Sequence, residues 1–172
     1  MNSDIRKLCE IVNKPVRNIL GSMSETSRYS LDIARCEISG FDKQINVVQR
    51  AFDTISCEDD FKKEVKEVLS KEQISLKKLC LLHHWIAGTH SKMILSCLKK
   101  RQLLLKGIDF LESPGQNLDP VPKKFQKNKR FPNPNLQIGN RIRFAVRIGN
   151  LVISDYGQKY TTGGRESTKI IC

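Results

Sequence analysis

Through residues 3–106 the apolar positions recur at three- and four-residue steps, the spacing of one face of a helix. Ile5, Leu8, Val12, Val16, Ile19 and Leu20 make the first such stripe, which Pro15 divides or kinks. A second helix is predicted over about residues 27–38, with Tyr29, Ile33 and Cys36 inward and Gly40 closing it. Phe41, Ile45, Val48, Phe52 and Ile55 predict a third over 41–56. A fourth starts after the acidic run at 58–60 and buries Phe61, Val65 and Val68. The segment 74–87 is apolar round most of its circumference and reads as the central buried helix, with Trp85 as its anchor. Gly88 breaks or bends it, and a last helix follows over 91–106.

Beyond residue 108 the pattern changes. Pro114, Pro120, Pro122, Pro132 and Pro134 fall within 21 residues among Gly, Asn and Lys, the composition of a loop or extended linker. In residues 140–148, Ile142, Phe144, Val146 and Ile148 alternate with Arg141, Arg143, Ala145 and Arg147. Alternation of that kind predicts a strand with one apolar and one cationic face. Gly149 and Asn150 suit a two-residue turn into a return strand at 151–154, and Gly163–Gly164 suits one more hairpin. The predicted fold class is α+β: an N-terminal α-helical bundle (1–110), a basic Pro/Lys/Asn-rich linker (111–135), and a small antiparallel β-hairpin extension (136–172).

Charge sharpens this division. Residues 1–98 hold 15 Lys/Arg against 13 Asp/Glu, and residues 99–172 hold 15 against 5. Of the net +12, almost all therefore sits in residues 99–172, where it attracts polyanions. Residues 120–154 contain no Asp or Glu at all. They carry Lys123, Lys124, Lys127, Lys129, Arg130, Arg141, Arg143 and Arg147, with Phe125 and Phe131 between them. Flexible cations suit phosphates and flat rings suit unpaired bases, so these ten residues are the predicted nucleic-acid contacts. RNA or single-stranded nucleic acid is the expected partner, because zinc-finger spacing, basic-leucine heptads and an arginine-rich recognition helix are all missing.

Other chemistry finds less support. Cys80, His84, His90 and Cys97, with His83 alongside, are zinc-ligand types, but none stands on the tight knuckles that zinc modules use, and no metal is predicted. The sequence has no P-loop, GxSxG elbow or HExxH motif, and the glycines near 163 read as a turn. The expectation is accordingly a non-enzymatic protein without a cofactor. No apolar run reaches the ~18 residues of a membrane span, and the N-terminus lacks the apolar core of a secretory signal. The six scattered cysteines suit a reducing cytoplasm, and the basic clusters at 99–106 and 123–130 allow nuclear import as well.

Size, a basic C-terminal half, scattered cysteines and no catalytic motif are similar in character to the small accessory proteins of RNA viruses. That likeness of type, without aligned residues, implies a self-associating RNA-binding protein that sequesters RNA from host defence, as suppressors of RNA silencing do. Two alternatives stand beside it. One is a coat or matrix component whose basic arm neutralises nucleic acid or contacts a membrane. The other is an adaptor that binds an acidic protein.

Overall fold

Helix α1 (Ser3–Val12) ends shortly before Pro15, whose ring and missing N–H do not continue a helix. Strand follows instead of helix. The computed structural model describes residues 2–25, 29–69, 71, 73–120 and 135–154. Among these, β1 (Val16–Glu25), β2 (Ser30–Ser39) and β3 (Asn46–Ser56) form an antiparallel meander. The helices predicted over 27–38 and 41–56 are therefore corrected to strands, as is the helical reading of Val16, Ile19 and Leu20. The physical cause of the misleading pattern lies in β3. Arg35 opposes Ala51 and Cys36 opposes Gln49, so Arg50 is an inserted residue. One extra residue breaks the two-residue alternation, so Val48, Ala51 and Ile55 recur at helical spacing on one half-buried face, while Phe52 lies exposed on the other.

Helix α2 (Asp59–Lys66) lies where the acidic run predicts it and buries Phe61 and Val65. Helix α3 (Leu76–Lys100) runs unbroken through Gly88. A β-carbon on Gly88 would meet the Arg147 guanidinium at 3.2 Å, so that glycine marks a close approach between helices rather than a break. Trp85 stacks on Phe61 at 5.5 Å between ring centroids but stays partly exposed, so it is not the buried anchor expected of it.

Beyond α3 come β4 (Phe110–Glu112), a two-stranded ribbon of β5 (Gln116–Pro120) and β6 (Asn135–Ile138), helix α4 (Arg141–Ile148), and β7 (Val152–Ile153). Strands β4 and β7 join the meander in parallel, giving one five-stranded mixed sheet ordered β3-β2-β1-β4-β7. The architecture is α/β, not a helical bundle with a hairpin appended. The arginine-faced strand at 140–148 is likewise a helix. Asn140 caps it by accepting the Arg143 N–H at 2.7 Å, and Gly149, at φ +74°, ends it. Phe144 and Ile148, one turn apart, are 3% exposed, while Ile142 and Val146 are 78% and 75% exposed.

Helix α3 builds two cores. Its Ala87, Ile94, Cys97 and Leu98 pack with Leu20, Leu31, Ile33 and Leu111 of the sheet and with Phe144 and Ile148 of α4. Its Leu82 and Ile86 pack with Phe61 and Val65 of α2 and with Leu118 and Ile138 of the ribbon. At the far end, Arg101 grips the Asp53 carboxylate through two contacts of 2.8 Å, and that bond holds the Asp53 carboxyl below its usual range.

One buried polar group stands out in the helix. His90 is 2% exposed, packs against the Phe61 ring, and finds no partner for Nε2 among the described residues. Burial pushes its pKa down to about 4. Between that value and the ~6.5 of an unfolded histidine, the unfolded chain binds the proton and the native one does not. Stability is thus fully present above pH ~6.5 and lost as pH falls towards 4, on the order of 3 kcal/mol in all. Urea melts at pH 7 and pH 5 are expected to show the protein losing roughly 2 kcal/mol, and His90→Leu is expected to remove most of that difference.

Candidate functional site

In a sheet of this kind ligands bind outside the carboxyl ends of the strands, where neighbouring strands lead off in opposite directions. That point lies between β1 and β4. The chain leaves β1 for β2 on one side, and β4 leads to β7 on the other. Both strands run the same way, so their carboxyl ends, Ser22–Ser24 and Glu112–Gln116, lie side by side at one junction, with Ser22 and Gln116 buried.

Its polar groups are tightly tied. The Ser22 hydroxyl donates to the Glu112 carbonyl at 2.9 Å, and the Ser22 backbone N–H donates to the Glu112 carboxylate at 3.2 Å. Gly21 opposes Glu112 in the parallel ladder, and the carboxylate lies 3.3 Å from where a β-carbon on Gly21 would be. Ser24 hydrogen-bonds the buried Gln116 side chain through its hydroxyl, and Gln116 donates to the Asn117 carbonyl at 3.2 Å. Between Glu112 and Gln116 the chain turns at Gly115, at φ +79°, with its α-carbon pressed against the Ile138 carbonyl.

Helix α3 braces the neighbouring turn at Gly139 and Asn140. The His83 Nδ1 accepts the Gly139 N–H at 3.2 Å, and the His83 carbonyl accepts the Asn140 N–H at 2.8 Å. Desolvation, then the charges of His84 and Arg141, hold the His83 pKa below its ordinary value, so the ring is neutral at pH 7 and Nδ1 keeps its lone pair. The junction thus combines rigid backbone, two serines, a carboxylate and an amide, group types that can orient a polar ligand. A groove between α2 and α3, of about 560 Å³, is less apt. Its Lys78 is already paired with Glu64 and Glu67, which raise its pKa.

Of the residues singled out in the sequence, Lys123, Lys124, Phe125, Lys127, Lys129, Arg130 and Phe131 lie outside the described residues. Arg141, Arg143 and Arg147 do not share a strand face. All three are on α4, where Arg143 is exposed and Arg147 packs over Gly88. Cys80 and His84 are exposed, whereas His90 and Cys97 are buried and Cys97 is bonded to Asp53. No group of three or more His, Cys, Asp or Glu is disposed to hold a metal among the described residues. Ser22, Ser24, Glu112 and Gln116 went unread in the sequence. Their signal was faint: two serines near the end of a strand, and a Pro-Gly pair beginning two residues after Glu112.

Comparison with known proteins gives this geometry its context. The family model described as anhydro-N-acetylmuramic acid kinase matches residues 17–168. The anhydro-N-acetylmuramic acid kinases of Pseudoalteromonas atlantica and Pseudoalteromonas translucida are 36% and 37% identical over 172 residues, 99% of this chain. That of Clostridioides difficile is 28% identical over 152 residues, 88% of this chain and 39% of the relative. The chain spans 42% of the length of the two Pseudoalteromonas relatives.

These matches overturn several expectations at once. Similarity to kinases across nearly the whole chain replaces the non-enzymatic RNA-binding or silencing-suppressor reading, with RNA as partner. It also replaces the coat, matrix and adaptor alternatives. Among the described residues no helix is long and apolar enough to cross a membrane, and nothing supports a nuclear location.

The turn at Gly115 carries its own test. Gly115→Ala forces a left-handed residue to carry a β-carbon 2.5 Å from a backbone oxygen, whereas Gly149→Ala, at similar φ, meets nothing within 4 Å. In denaturant melts Gly149→Ala is expected to cost about 1 kcal/mol. Gly115→Ala is expected to cost roughly 2–3 kcal/mol, the excess reporting the contact with the ribbon.

Proposed function

Since the chain belongs to the anhydro-N-acetylmuramic acid kinase family, we propose that it handles phosphate in a kinase that phosphorylates anhydro-N-acetylmuramic acid from a nucleoside triphosphate. The observation that carries this reading is the family match over residues 17–168, which takes in every strand from β1 to β7. Phosphoryl transfer needs little covalent chemistry from the protein and depends on holding donor and acceptor in line. A rigid β1–β4 junction, beside a turn that α3 braces through His83, suits that task. The net charge of +12 draws a nucleoside triphosphate as well as it would any other polyanion. A cytoplasmic setting, where such donors are abundant, accords with Cys9, Cys57, Cys80 and Cys97 remaining thiols.

The acceptor is a sugar with a hydroxyl and an amide N–H to donate. Asn117 and Gln137 face each other across the β5–β6 ribbon. Their side-chain oxygens are buried and take no hydrogen bond from a described residue. Hydroxyl groups would satisfy them, whereas a phosphate, itself an acceptor, would not.

The purified chain, incubated with magnesium ATP and anhydro-N-acetylmuramic acid, is expected to release ADP and form the phosphorylated sugar. No product, together with unshifted Ser22 and Gly115 amide resonances on adding magnesium ATP, would reject the reading. Replacing both Asn117 and Gln137 by Leu is expected to raise KM for the sugar about tenfold, the worth of one lost hydrogen bond to a polar ligand. KM for ATP is expected to stay within about twofold.

A further inference from the structure

The meander ends at β3, which pairs with β2 on one side and with no described strand on the other. An edge of that kind is a template for a further strand. Which of its backbone groups point outward follows from the pairing. The Cys57 N–H donates to the Tyr29 carbonyl at 2.9 Å, so those two facing residues form a hydrogen-bonded pair. Bonded pairs alternate with unbonded ones along an antiparallel ladder, which makes Ile33–Asp53 bonded and Ala34–Phe52 and Asp32–Thr54 not. The N–H and C=O groups of Phe52, Thr54 and Ser56 therefore face away from β2. Before them the extra residue at Arg50 interrupts the edge and leaves 52–56 as an uninterrupted stretch. One outward group in that stretch is occupied. The Arg101 guanidinium, just past the end of α3, donates to the Phe52 carbonyl at 3.3 Å and clamps Asp53 through two contacts of 2.8 Å. At the opposite edge of the sheet, β7 is only two residues long and needs no such cover.

We propose that Arg101 guards this edge against a second copy of the chain. Residues 52–56 are self-complementary about a two-fold axis at Thr54. Laid antiparallel, Phe52 opposes the copy's Ser56, Asp53 opposes its Ile55 and Thr54 opposes Thr54, so no like charges face each other. That complementarity singles out a second copy among extended chains. The outward groups of Phe52, Thr54 and Ser56 supply every bond of such a ladder, and Phe52, 49% exposed, gains cover. One acceptor is withheld. The Phe52 carbonyl would have to receive the N–H of the copy's Ser56, and Arg101 already holds it. The guanidinium is fixed there by the Asp53 carboxylate, which the Cys97 thiol also meets at 3.5 Å. By symmetry the same obstacle stands twice in one interface. A single arginine thus does what prolines and inward charges do at other sheet edges.

Sedimentation velocity of the full chain over a wide range of concentration, with hydrogen exchange at the Thr54 and Ser56 amides, tests the guard. Wild type is expected to stay unpaired at this edge, with both amides exchanging freely. Arg101→Ala frees the carbonyl on each side of the axis. Two regained hydrogen bonds, each contributing about tenfold, are expected to tighten self-association about a hundredfold. Thr54 and Ser56 should then become protected as concentration rises. Adding Thr54→Pro removes an outward N–H and no backbone bond to β2, at the loss of one exposed side-chain bond to Asp32, and is expected to restore wild-type behaviour. Arg101→Lys keeps the charge without the fork, so a gain of about tenfold is expected; it decides the matter should the alanine variant fail to fold. Self-association no tighter than wild type in the folded Arg101 variants overturns the guard. Association that leaves Thr54 and Ser56 unprotected, or that survives Thr54→Pro, overturns it too, as does a wild type already paired through these amides.

Discussion

A parallel pairing only three residues long joins the two parts of the sheet. Ile19, Leu20 and Gly21 of β1 meet Phe110, Leu111 and Glu112 of β4, and the long meander and the short β4–β7 pair connect in the sheet through that contact. Three residues of parallel ladder are a weak join, because the bonds are slanted and few. Each end is closed by a carboxylate. Asp109 accepts the Asn18 N–H at 2.8 Å and the Lys14 ammonium at 2.5 Å; Glu112 accepts the Ser22 N–H at the other end. Leu20 and Leu111 between them are buried in the larger core. That junction is thus also the place where backbone pairing is thinnest and side chains must complete it.

Local signals identified the helices well where burial and capping agreed. The acidic start of α2 and the apolar stripe of α3 are both visible in the sequence, whereas Gly149, which closes α4, read as a hairpin turn. For α4 the strict alternation of Arg and apolar residues argued for strand, yet a helix uses only Phe144 and Ile148 of the four apolar positions and leaves Ile142 and Val146 outside. Period two and period four coincide at every second position, so eight residues do not separate them, and the caps decide. The meander failed for the opposite reason. A bulge in β3 shifted the phase of its apolar residues, and no feature local to residues 46–56 reveals that an insertion opposes Arg35 and Cys36.

The site was less legible still. Its members, Ser22, Ser24, Glu112 and Gln116, lie some ninety residues apart, and only the parallel register brings them together. Charge drew the eye to the cationic residues after 120, since a one-sided excess of Lys and Arg is conspicuous in a sequence and a single glutamate is not. Net charge reports attraction to anions in general. It carries no information about whether the anion is a polymer or one nucleotide.

Helix α3 has a mechanical consequence. At 25 residues it is about 37 Å long, with Leu82 and Ile86 in one core and Ala87, Ile94, Cys97 and Leu98 in the other. Neither core has a rigid boundary of its own, because adjacent residues of one rod serve both. Melting the α2 and ribbon side would strip one half of that rod and shorten the platform on which the sheet rests. The two cores therefore share a single cooperative unit, and their slowest amide protons should exchange with solvent in the same rare opening.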